Sequence, residues 1–442
     1  MPIKIGFISL GCPKNQVDTE IMLSRLVSEG FEIVAEDIHA DVIIINTCAF
    51  IQSAKSEAIE TILDIAWLKK NRSLKGIVVC GCLSERYKDE ILRELPEVDA
   101  VVGVGSINKI AEAVKAVLSD TSPDERYVSL ESPDTVEFWG DRVLTTPEYT
   151  AYIKIAEGCD NGCSYCVIPS IRGAYRSRRF EDIISEARGL AEIGVRELSI
   201  VAQDITRYGF DLYGEYRLPL LLRELCKVDG LIWIRLFYTY PELITDELAE
   251  VIASEPKIAK YIDMPIQHIN ESVLSAMNRR GGSEAIRASL KKLRAKGIAV
   301  RTTVITGFPG ESEEDFEELI AFVKEQRFER LGAFAFSPEE GTPAAELPGA
   351  LDDDEREKRR DAVMEAQMDI TDAYNQSRIG AELLVLCEGY DPVSEMHYGR
   401  SELDAPEIDG KIYFKSNAKV NPGTFLTVKI NDVLDYDLIG EV

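Results

Sequence analysis

The chain has 442 residues, 45% of them hydrophobic, and this length and composition predict two or three domains with buried cores. Its formal net charge of −27 opposes binding to a nucleic-acid backbone, because such binding normally uses a surplus of lysine and arginine. Nine cysteines are too few for a disulfide scaffold in a chain of this size, and no apolar run reaches the length of a membrane span. These features predict a soluble, cytoplasmic protein without a membrane partner.

Residues 1–120 alternate short β-rich runs with amphipathic helical patterns, which predicts an α/β domain with a parallel sheet covered by helices. A helix is predicted over 53–68, with Ile59, Ile62, Leu63 and Ala66 on one face. The predicted strands cover 4–9, 42–45, 77–79 and 100–102.

Three cysteines, which we call the amino-terminal triad, each follow a predicted strand: Cys12, Cys48 and Cys82. The carboxyl ends of parallel strands meet at one edge of a sheet, so these distant thiols are expected to converge on one site. The alternative for each of them alone is a buried thiol that packs as a small hydrophobic group. Cys80 fits that alternative best, because it continues a strand toward the core.

A polar connection without periodicity covers 121–148 and predicts a domain boundary near residue 145. Six β-patterned runs follow, separated by helical patterns, one of which begins at a capping box formed by Ser312 and Asp315. Six β/α units are fewer than a closed eight-stranded barrel needs, so we expect an open, partial TIM-like (β/α)6 barrel. The runs cover 152–156, 197–201, 232–237, 261–264, 300–305 and 331–336.

A second group of cysteines, the central triad, follows the first of these runs in a Cys-x3-Cys-x2-Cys arrangement: Cys159, Cys163 and Cys166. Three thiolates at this spacing can hold a 4Fe-4S cube and leave its fourth iron open to a substrate or cofactor. A zinc site fits less well, since structural zinc takes four ligands and no second cysteine pair follows at the expected distance.

Further polar residues follow the other runs, where barrels of this kind carry their chemistry. Gln203 and Gln267 are candidate cofactor-binding residues, with a hydrogen-bonded loop position as the alternative for each. His268 is expected to fix its loop rather than to carry a proton. A basic group soon after the central triad could bind a carboxylate through forked hydrogen bonds or could form local ion pairs. It comprises Arg172, Arg176, Arg178 and Arg179.

The carboxy-terminal tail differs in pattern from the rest of the chain. A charged helix is predicted over 352–376, and short β-runs with glycine and proline follow from residue 380. These runs predict a small antiparallel barrel of the OB-like type, a fold that often binds nucleic acid. Residues 380–442 contain twelve acidic and five basic side chains, a net charge of −7, which would repel RNA and attract a basic protein.

The central triad, with Tyr165 before its last cysteine, resembles the signature of the radical S-adenosylmethionine (SAM) superfamily. The resemblance implies that this triad holds a 4Fe-4S cluster whose open iron is chelated by SAM. One electron from the cluster would then cleave SAM to methionine and a 5′-deoxyadenosyl radical. We expect Tyr165, Gln203 and Gln267 to contact this cofactor.

The amino-terminal triad is similar to that of the methylthiotransferases, in which it holds a second 4Fe-4S cluster that carries the sulfur to be inserted. The tail likewise resembles the TRAM domain that ends those proteins. The resemblance implies a methylthiotransferase domain over 1–145, a radical SAM domain over 146–376 and a TRAM domain over 377–442. The similarity of the amino-terminal triad to that family is carried by three segments: Ser9-Leu10-Gly11-Cys12-Pro13-Lys14-Asn15, Asn46-Thr47-Cys48 and Cys80-Gly81-Cys82-Leu83.

Within that family, residues 399–410 are similar to the branch that modifies an aspartate of small-subunit ribosomal protein twelve. The implied reaction removes hydrogen from the aspartate β-carbon, inserts sulfur and adds a methyl group from a second SAM. The implied partners are that basic protein, an electron donor such as flavodoxin or ferredoxin, and a sulfur donor, while tRNA is disfavoured. Two alternatives stay open: the same chemistry on an adenosine of tRNA, and a non-catalytic iron-sulfur carrier.

Overall fold

The computed structural model describes residues 2–35, 39–119, 126–135 and 137–442. They contain two six-stranded sheets, one closed barrel and one two-stranded ribbon. Part of the predicted polar connection, at 120–125 and 136, lies outside the described residues. No helix within the described ranges is both long and apolar enough to span a membrane.

The first sheet consists of six parallel strands in the order β2-β1-β3-β4-β5-β6. The alternating pattern predicted the parallel direction and four of the strands but missed those at 32–34 and 127–129, and the latter lies within the predicted polar connection. The strands are β1 (Lys4–Ser9), β2 (Glu32–Val34), β3 (Val42–Thr47), β4 (Gly76–Gly81), β5 (Ala100–Val102) and β6 (Tyr127–Ser129). The helices are α1 (Pro13–Ser28), α2 (Gln52–Asn71), α3 (Cys82–Arg86), α4 (Lys88–Glu94) and α5 (Ile110–Leu118). Strands β3 and β4 are buried at every position, because the helices pack against them.

The buried face predicted for α2 is wrong at two positions. Ile62 and Ala66 are buried, but Ile59 and Leu63 are 40% and 48% exposed. Ile65 is instead among the residues that the helix buries. The helix carries apolar residues on two adjoining faces, so its periodicity alone could not decide which one meets the sheet.

The second sheet is open and parallel, in the order β7-β10-β11-β12-β13-β14, and all six predicted strands are present in it. The expected partial barrel is therefore confirmed, as is the capping box of Ser312 and Asp315. The strands of this sheet are β7 (Thr150–Lys154), β10 (Glu197–Val201), β11 (Trp233–Leu236), β12 (Ile258–Asp263), β13 (Ala299–Thr306) and β14 (Arg330–Ala335). The separate antiparallel ribbon consists of β8 (Ala156–Glu157) and β9 (Arg176–Ser177). The helices are α6 (Ile168–Arg172), α7 (Phe180–Glu192), α8 (Phe210–Tyr213), α9 (Leu218–Cys226), α10 (Asp246–Ser254), α11 (Glu271–Ala276), α12 (Gly282–Ala295), α13 (Glu313–Gln326) and α14 (Asp353–Gln376).

The tail forms the expected small barrel, closed in the order β15-β16-β17-β19-β18. Its strands are β15 (Glu382–Asp391), β16 (Met396–Ser401), β17 (Ile412–Lys415), β18 (Phe425–Leu434) and β19 (Asp437–Glu441). All neighbouring pairs are antiparallel except β17 and β19, which run parallel.

Buried ion pairs attach this barrel to the second sheet. The Glu197 carboxylate accepts hydrogen bonds from Arg400 at 2.6 Å and from Arg235 at 3.0 Å. Asp404 accepts one from Arg330 at 2.7 Å. Glu197 opens β10 and Arg330 opens β14, so the barrel contacts the amino-terminal edge of this sheet, opposite to the carboxyl ends of its strands.

One apolar cluster joins all three parts of the molecule. Val17 and Ile21 of α1 pack with Tyr152 and Phe237 of the second sheet and with Ala405 of the barrel. A buried carboxylate, Glu339, adds ion pairs to Lys55 at 2.9 Å and Arg86 at 2.7 Å of the first domain. These contacts hold the first and second domains in a defined relative position.

Candidate metal centres

The amino-terminal triad lies around the side chain of Asn15. The Asn15 amide nitrogen donates to the Leu10 carbonyl at 3.1 Å and to the Thr47 carbonyl at 2.9 Å, which brings the loops of the first two cysteines together. Asn15 Oδ1 lies 3.8 Å from the sulfur of Cys82. The structure thus brings together the three cysteines that follow distant strands. Cys80, in contrast, is fully buried, with its sulfur 3.9 Å from Met22 Sδ.

Two glycines allow these loops to approach so closely. Gly11 has φ +95°, and a Cβ there would lie 2.9 Å from the Cβ of Cys48. Gly81 has φ +90°, and a Cβ there would lie 2.3 Å from Asn46 Oδ1 and 2.7 Å from the Thr47 carbonyl oxygen. A side chain at either position would therefore both strain the backbone and displace a neighbouring loop.

The three thiols differ in their electrostatic surroundings. Burial raises the pKa of Cys82 to about 11 and also raises that of Cys48. Burial opposes ionisation of Cys12 too, but the cations Lys14 and Arg172 outweigh it and lower the pKa of that thiol. Negative charge on Cys12 and Cys48 raises the pKa of Cys82 further, so the three sulfurs lie within electrostatic reach of one another.

The central triad lies in a loop that the antiparallel pair β8 and β9 closes at its base. The Cys159 amide donates to the Gly173 carbonyl at 3.1 Å, and the Cys166 amide donates to the Cys163 carbonyl at 3.0 Å. Between them, the Ser164 amide donates to the Met277 carbonyl at 3.0 Å. These bonds fold the loop back onto the carboxyl ends of the barrel strands, where the sequence placed it.

The surroundings of Cys159 and Cys166 in the central triad favour the neutral thiol. Burial raises the pKa of Cys159 to about 11 and that of Cys166 to about 12, and charge on Cys163 raises both further. The Arg279 guanidinium lies 3.9 Å from Cys163 Sγ. Tyr165 is half-buried and packs beside the loop. Burial is the main cause that raises the pKa of its hydroxyl, and the charge of Cys163 raises it further.

The two candidate glutamines have different environments. Gln203 Nε2 donates to Glu157 Oε1 at 2.6 Å, while Gln203 Oε1 is buried and has no hydrogen-bond partner among the described residues. Gln267 has φ +70° and pairs with Thr303 and Ile305 through its backbone at 2.9 and 2.8 Å. Gln203 therefore presents an unused acceptor, whereas the observed contacts of Gln267 belong to its main chain.

His268 is buried, and its Nδ1 accepts a hydrogen bond from the Asn270 amide at 3.0 Å. It thus fixes its loop, as predicted.

The four arginines after the central triad do not form one basic patch. Arg178 pairs with Glu186 at 2.6 Å, and the Arg176 guanidinium lies 4.7 Å from the centre of the Phe138 ring. Arg179 is exposed. Arg172 is buried and extends in the opposite direction, to the first domain. The expectation of a shared carboxylate-binding patch is wrong, because the four side chains leave their segment toward different neighbours.

A buried polar network extends from the segments on either side of the central triad to the amino-terminal triad, and the sequence did not predict it. Arg172 donates to Asp18 at 2.6 Å and lies 3.5 Å from Cys82 Sγ. Lys154 donates to the same Asp18 and, at 2.6 Å, to Glu157, which also holds Gln203. The available signals were weak. Glu157 lies two residues before Cys159, and Asp18 lies on the helix that follows Cys12.

Within the described ranges, no three histidine, cysteine or acidic side chains are close enough to bind one metal ion. A 4Fe-4S cube makes a different demand, because each thiolate binds a different iron and the sulfurs stay further apart. Both triads fit that demand: the amino-terminal cysteines lie in loops held together around Asn15, and the central cysteines lie in one short loop, 159–166. The unpartnered Gln203 Oε1 near the central triad fits a polar cofactor there.

Known families match each part of the chain. The Radical SAM superfamily matches residues 153–323, and the TRAM domain matches residues 379–442. The uncharacterized protein family UPF0004 matches residues 4–103. A protein of Pelotomaculum thermopropionicum named ribosomal protein uS12 methylthiotransferase RimO is 51% identical over 100% of this chain and 99% of its own length. The chain belongs to the RimO family of methylthiotransferases.

Relatives of the same name support this assignment. Those of Clostridioides difficile and Geobacter sulfurreducens are each 48% identical to this chain, over 99% and 98% of their own lengths. They cover 100% and 99% of this chain. The chain is therefore a radical SAM enzyme, and its cofactors include a 4Fe-4S cluster and SAM.

Solved structures share the fold at low identity. The radical SAM methyltransferase TsrM of Kitasatospora setae, with cobalamin and a [4Fe-4S] cluster bound, has a TM-score of 0.56 and 17% identity, over 78% of this chain and 77% of its own. The cobalamin-dependent radical enzyme OxsB has a TM-score of 0.52 and 13% identity, over 82% of this chain and 56% of its own. At these identities the likeness extends to the fold alone.

Proposed function

We propose that this enzyme adds a methylthio group to the β-carbon of an aspartate in small-subunit ribosomal protein twelve (uS12), in the cytoplasm. The relatives named for that activity match the full chain at about half identity. The structural observation that carries the proposal is a contact between the segment that follows the central triad and the amino-terminal triad, across the interface of the first and second domains. Arg172, which follows the central triad in sequence, lies 3.5 Å from Cys82 of the amino-terminal triad.

We assign the 4Fe-4S cluster of the superfamily to the central triad and a second 4Fe-4S cluster to the amino-terminal triad. Once bound, these groups and SAM supply the electron, the radical that removes hydrogen from an unactivated carbon, and the sulfur to be inserted. An electron donor such as flavodoxin or ferredoxin and a sulfur donor are the further partners. The role of the protein is to hold, orient and shield these groups.

Contacts within this chain supply that orientation. Glu157 holds the Gln203 amide, so that Gln203 Oε1 is available to accept a hydrogen bond from SAM. Tyr165 packs with Met277 and Phe308 beside the central triad and helps to exclude water from it. We propose Gln267 as a third cofactor contact.

Replacing Gln203 by alanine should weaken SAM binding about tenfold, the expected effect of losing one buried hydrogen bond. The measurement is the Kd for SAM on enzyme loaded with clusters, by equilibrium dialysis. Gln267→Ala is the comparison and should have a smaller effect, because the observed contacts of that residue are made by its backbone. An unchanged Kd in Gln203→Ala would contradict the assignment.

Replacing Gly81 by alanine should prevent the amino-terminal triad from binding its cluster, since the added Cβ would collide with Asn46 and Thr47. The measurement is iron per chain after anaerobic reconstitution. Gly30→Ala is the matched control, because Gly30 has φ +87° and no atom within 4 Å of an added Cβ. Equal iron loss in both variants would show that backbone strain, rather than the crowded cysteine loops, is responsible.

The charge of the tail supports a basic substrate less strongly than the formal value of −7 indicates. Glu388 pairs with Arg400 at 2.7 Å, and Asp404 pairs with Arg330 at the same distance. Asp409 is largely buried and accepts a hydrogen bond from the Tyr261 hydroxyl at 2.8 Å. Asp404 and Asp409 attach the barrel to the second sheet, and Glu388 is neutralised within the barrel, so the choice of uS12 rests chiefly on the full-length relatives.

Mass spectrometry of uS12 and of tRNA from a deletion strain tests the substrate. The uS12 aspartate should lose its methylthio group, while tRNA modification should persist. Loss from tRNA with uS12 still modified would favour the tRNA alternative. Formation of 5′-deoxyadenosine by the reduced enzyme, detected by chromatography, would exclude a non-catalytic iron-sulfur carrier.

A further inference from the structure

Arg172 belongs to the second domain, yet its side chain contacts the amino-terminal triad of the first domain. It ends α6, is 2% exposed, and its Nη2 lies 3.5 Å from Cys82 Sγ. The same Nη2 donates to Asn15 Oδ1, the side chain around which the triad is arranged. The guanidinium therefore contacts a sulfur of the amino-terminal triad, although Arg172 lies in the segment that follows the central triad.

The position of Arg172 is set by neighbours on both domains. Its Nη1 donates to Asp18 Oδ2 at 2.6 Å and lies 3.5 Å from Glu157 Oε2. Lys154 contacts the same two carboxylates. Two cations and two carboxylates make this group neutral overall, but it is Arg172 that also contacts a sulfur of the triad, Cys82 Sγ.

An N–H donor and a positive charge beside cluster thiolates stabilise the reduced cluster, because reduction adds one negative charge. Electron counting shows why this effect matters for sulfur insertion. When a carbon radical forms a bond to a bound sulfide, one electron of the radical and two of a sulfur lone pair are involved. Two of them make the carbon–sulfur bond, and the cluster must accept the third.

We propose that Arg172 is a positioning residue that raises the reduction potential of the amino-terminal cluster through its hydrogen bond to Cys82 Sγ. The proposal rests on the proposed function, since it requires a cluster on that triad. Arg172 thereby makes this cluster a better acceptor of the electron that sulfur insertion releases.

The test uses the full chain with Cys159, Cys163 and Cys166 changed to alanine, so that the amino-terminal cluster alone is observed. Its midpoint potential is measured by a redox titration followed by electron paramagnetic resonance. Adding Arg172→Gln should shift the reduction equilibrium at least tenfold toward the oxidised cluster, which is about 59 mV for a one-electron couple. Arg172→Lys retains the charge without the forked donor and should give a smaller shift in the same direction.

Arg178→Gln is the matched control. Arg178 is buried, lies on the same segment and pairs with Glu186. Within the described part of the chain, it makes no hydrogen bond to a cysteine. Its replacement should leave the midpoint potential unchanged, which separates the proposed role from a general loss of packing.

The possible results separate the two proposals. A background protein that binds no iron would overturn the second cluster and with it the proposed function. A bound cluster whose midpoint does not change in a folded Arg172 variant would overturn the role of Arg172 alone. If Arg172→Gln does not fold, Arg172→Lys decides by the same criterion.

Discussion

Replacing Cys159, Cys163 and Cys166 together by alanine should lower the iron content from about eight to about four atoms per chain and abolish SAM cleavage. The reason is that each triad is expected to hold one cube, and only the central triad carries the iron that SAM binds. Iron and sulfide analysis of anaerobically prepared protein, together with an assay for 5′-deoxyadenosine, provides the measurement.

Two further variants make this result specific. Alanine at Cys12, Cys48 and Cys82 should also leave about four irons but should retain SAM cleavage without methylthio transfer. Cys80→Ala should retain about eight irons, because Cys80 is a core residue packed against Met22. Loss of iron in Cys80→Ala similar to that in Cys82→Ala would contradict the assignment of ligands.

Replacing Glu197 by glutamine should destabilise the protein by about 3–5 kcal/mol, because it leaves Arg235 buried without its carboxylate and Arg400 with Glu388 alone. Chemical denaturation of parent and variant would measure this difference in the free energy of unfolding. Glu382→Gln is the control: Glu382 is an exposed acidic residue of the same barrel, and its loss should change stability by less than about 0.5 kcal/mol.

The same ion pairs predict a dependence on pH. Burial opposes ionisation of Glu197, but Arg400 and Arg235 outweigh it and lower the pKa of its carboxyl from 4.5 to about 2. A lowered pKa in the folded state contributes stability that is complete above pH 4.5 and is lost as the pH falls toward 2. The stability difference between the parent and Glu197→Gln should therefore shrink over that range. A difference independent of pH would show that the carboxylate charge is not what attaches the barrel.

Local patterns were sufficient wherever the deciding interactions are close in sequence. The run 197–201 was predicted with the bounds that β10 has, and the Ser312 capping box forms between residues three apart. The spacing of Cys159, Cys163 and Cys166 places three thiols in one loop whatever the rest of the chain does. For Cys12, Cys48 and Cys82 the parallel order of strands was needed as well, and the alternating pattern supplied it.

The predictions that failed depended on which surface meets another domain or sheet. Ile59 and Leu63 have the apolar character of a buried face but are exposed on α2. Asp404 was counted as a surface charge of the tail, yet it is buried against Arg330. Formal charge and periodicity describe a segment by itself, and neither specifies which neighbour will cover it.

The sequence by itself determined the six cysteines, the parallel direction of the strands that gather three of them and the family to which the chain belongs. Only the tertiary structure decided that Arg172 turns away from the other three arginines and toward Cys82, and that Glu197 holds two arginines from different domains. The physical reason is that such contacts join residues far apart in the chain. Their geometry depends on how whole domains pack, and short-range spacing carries no information about it.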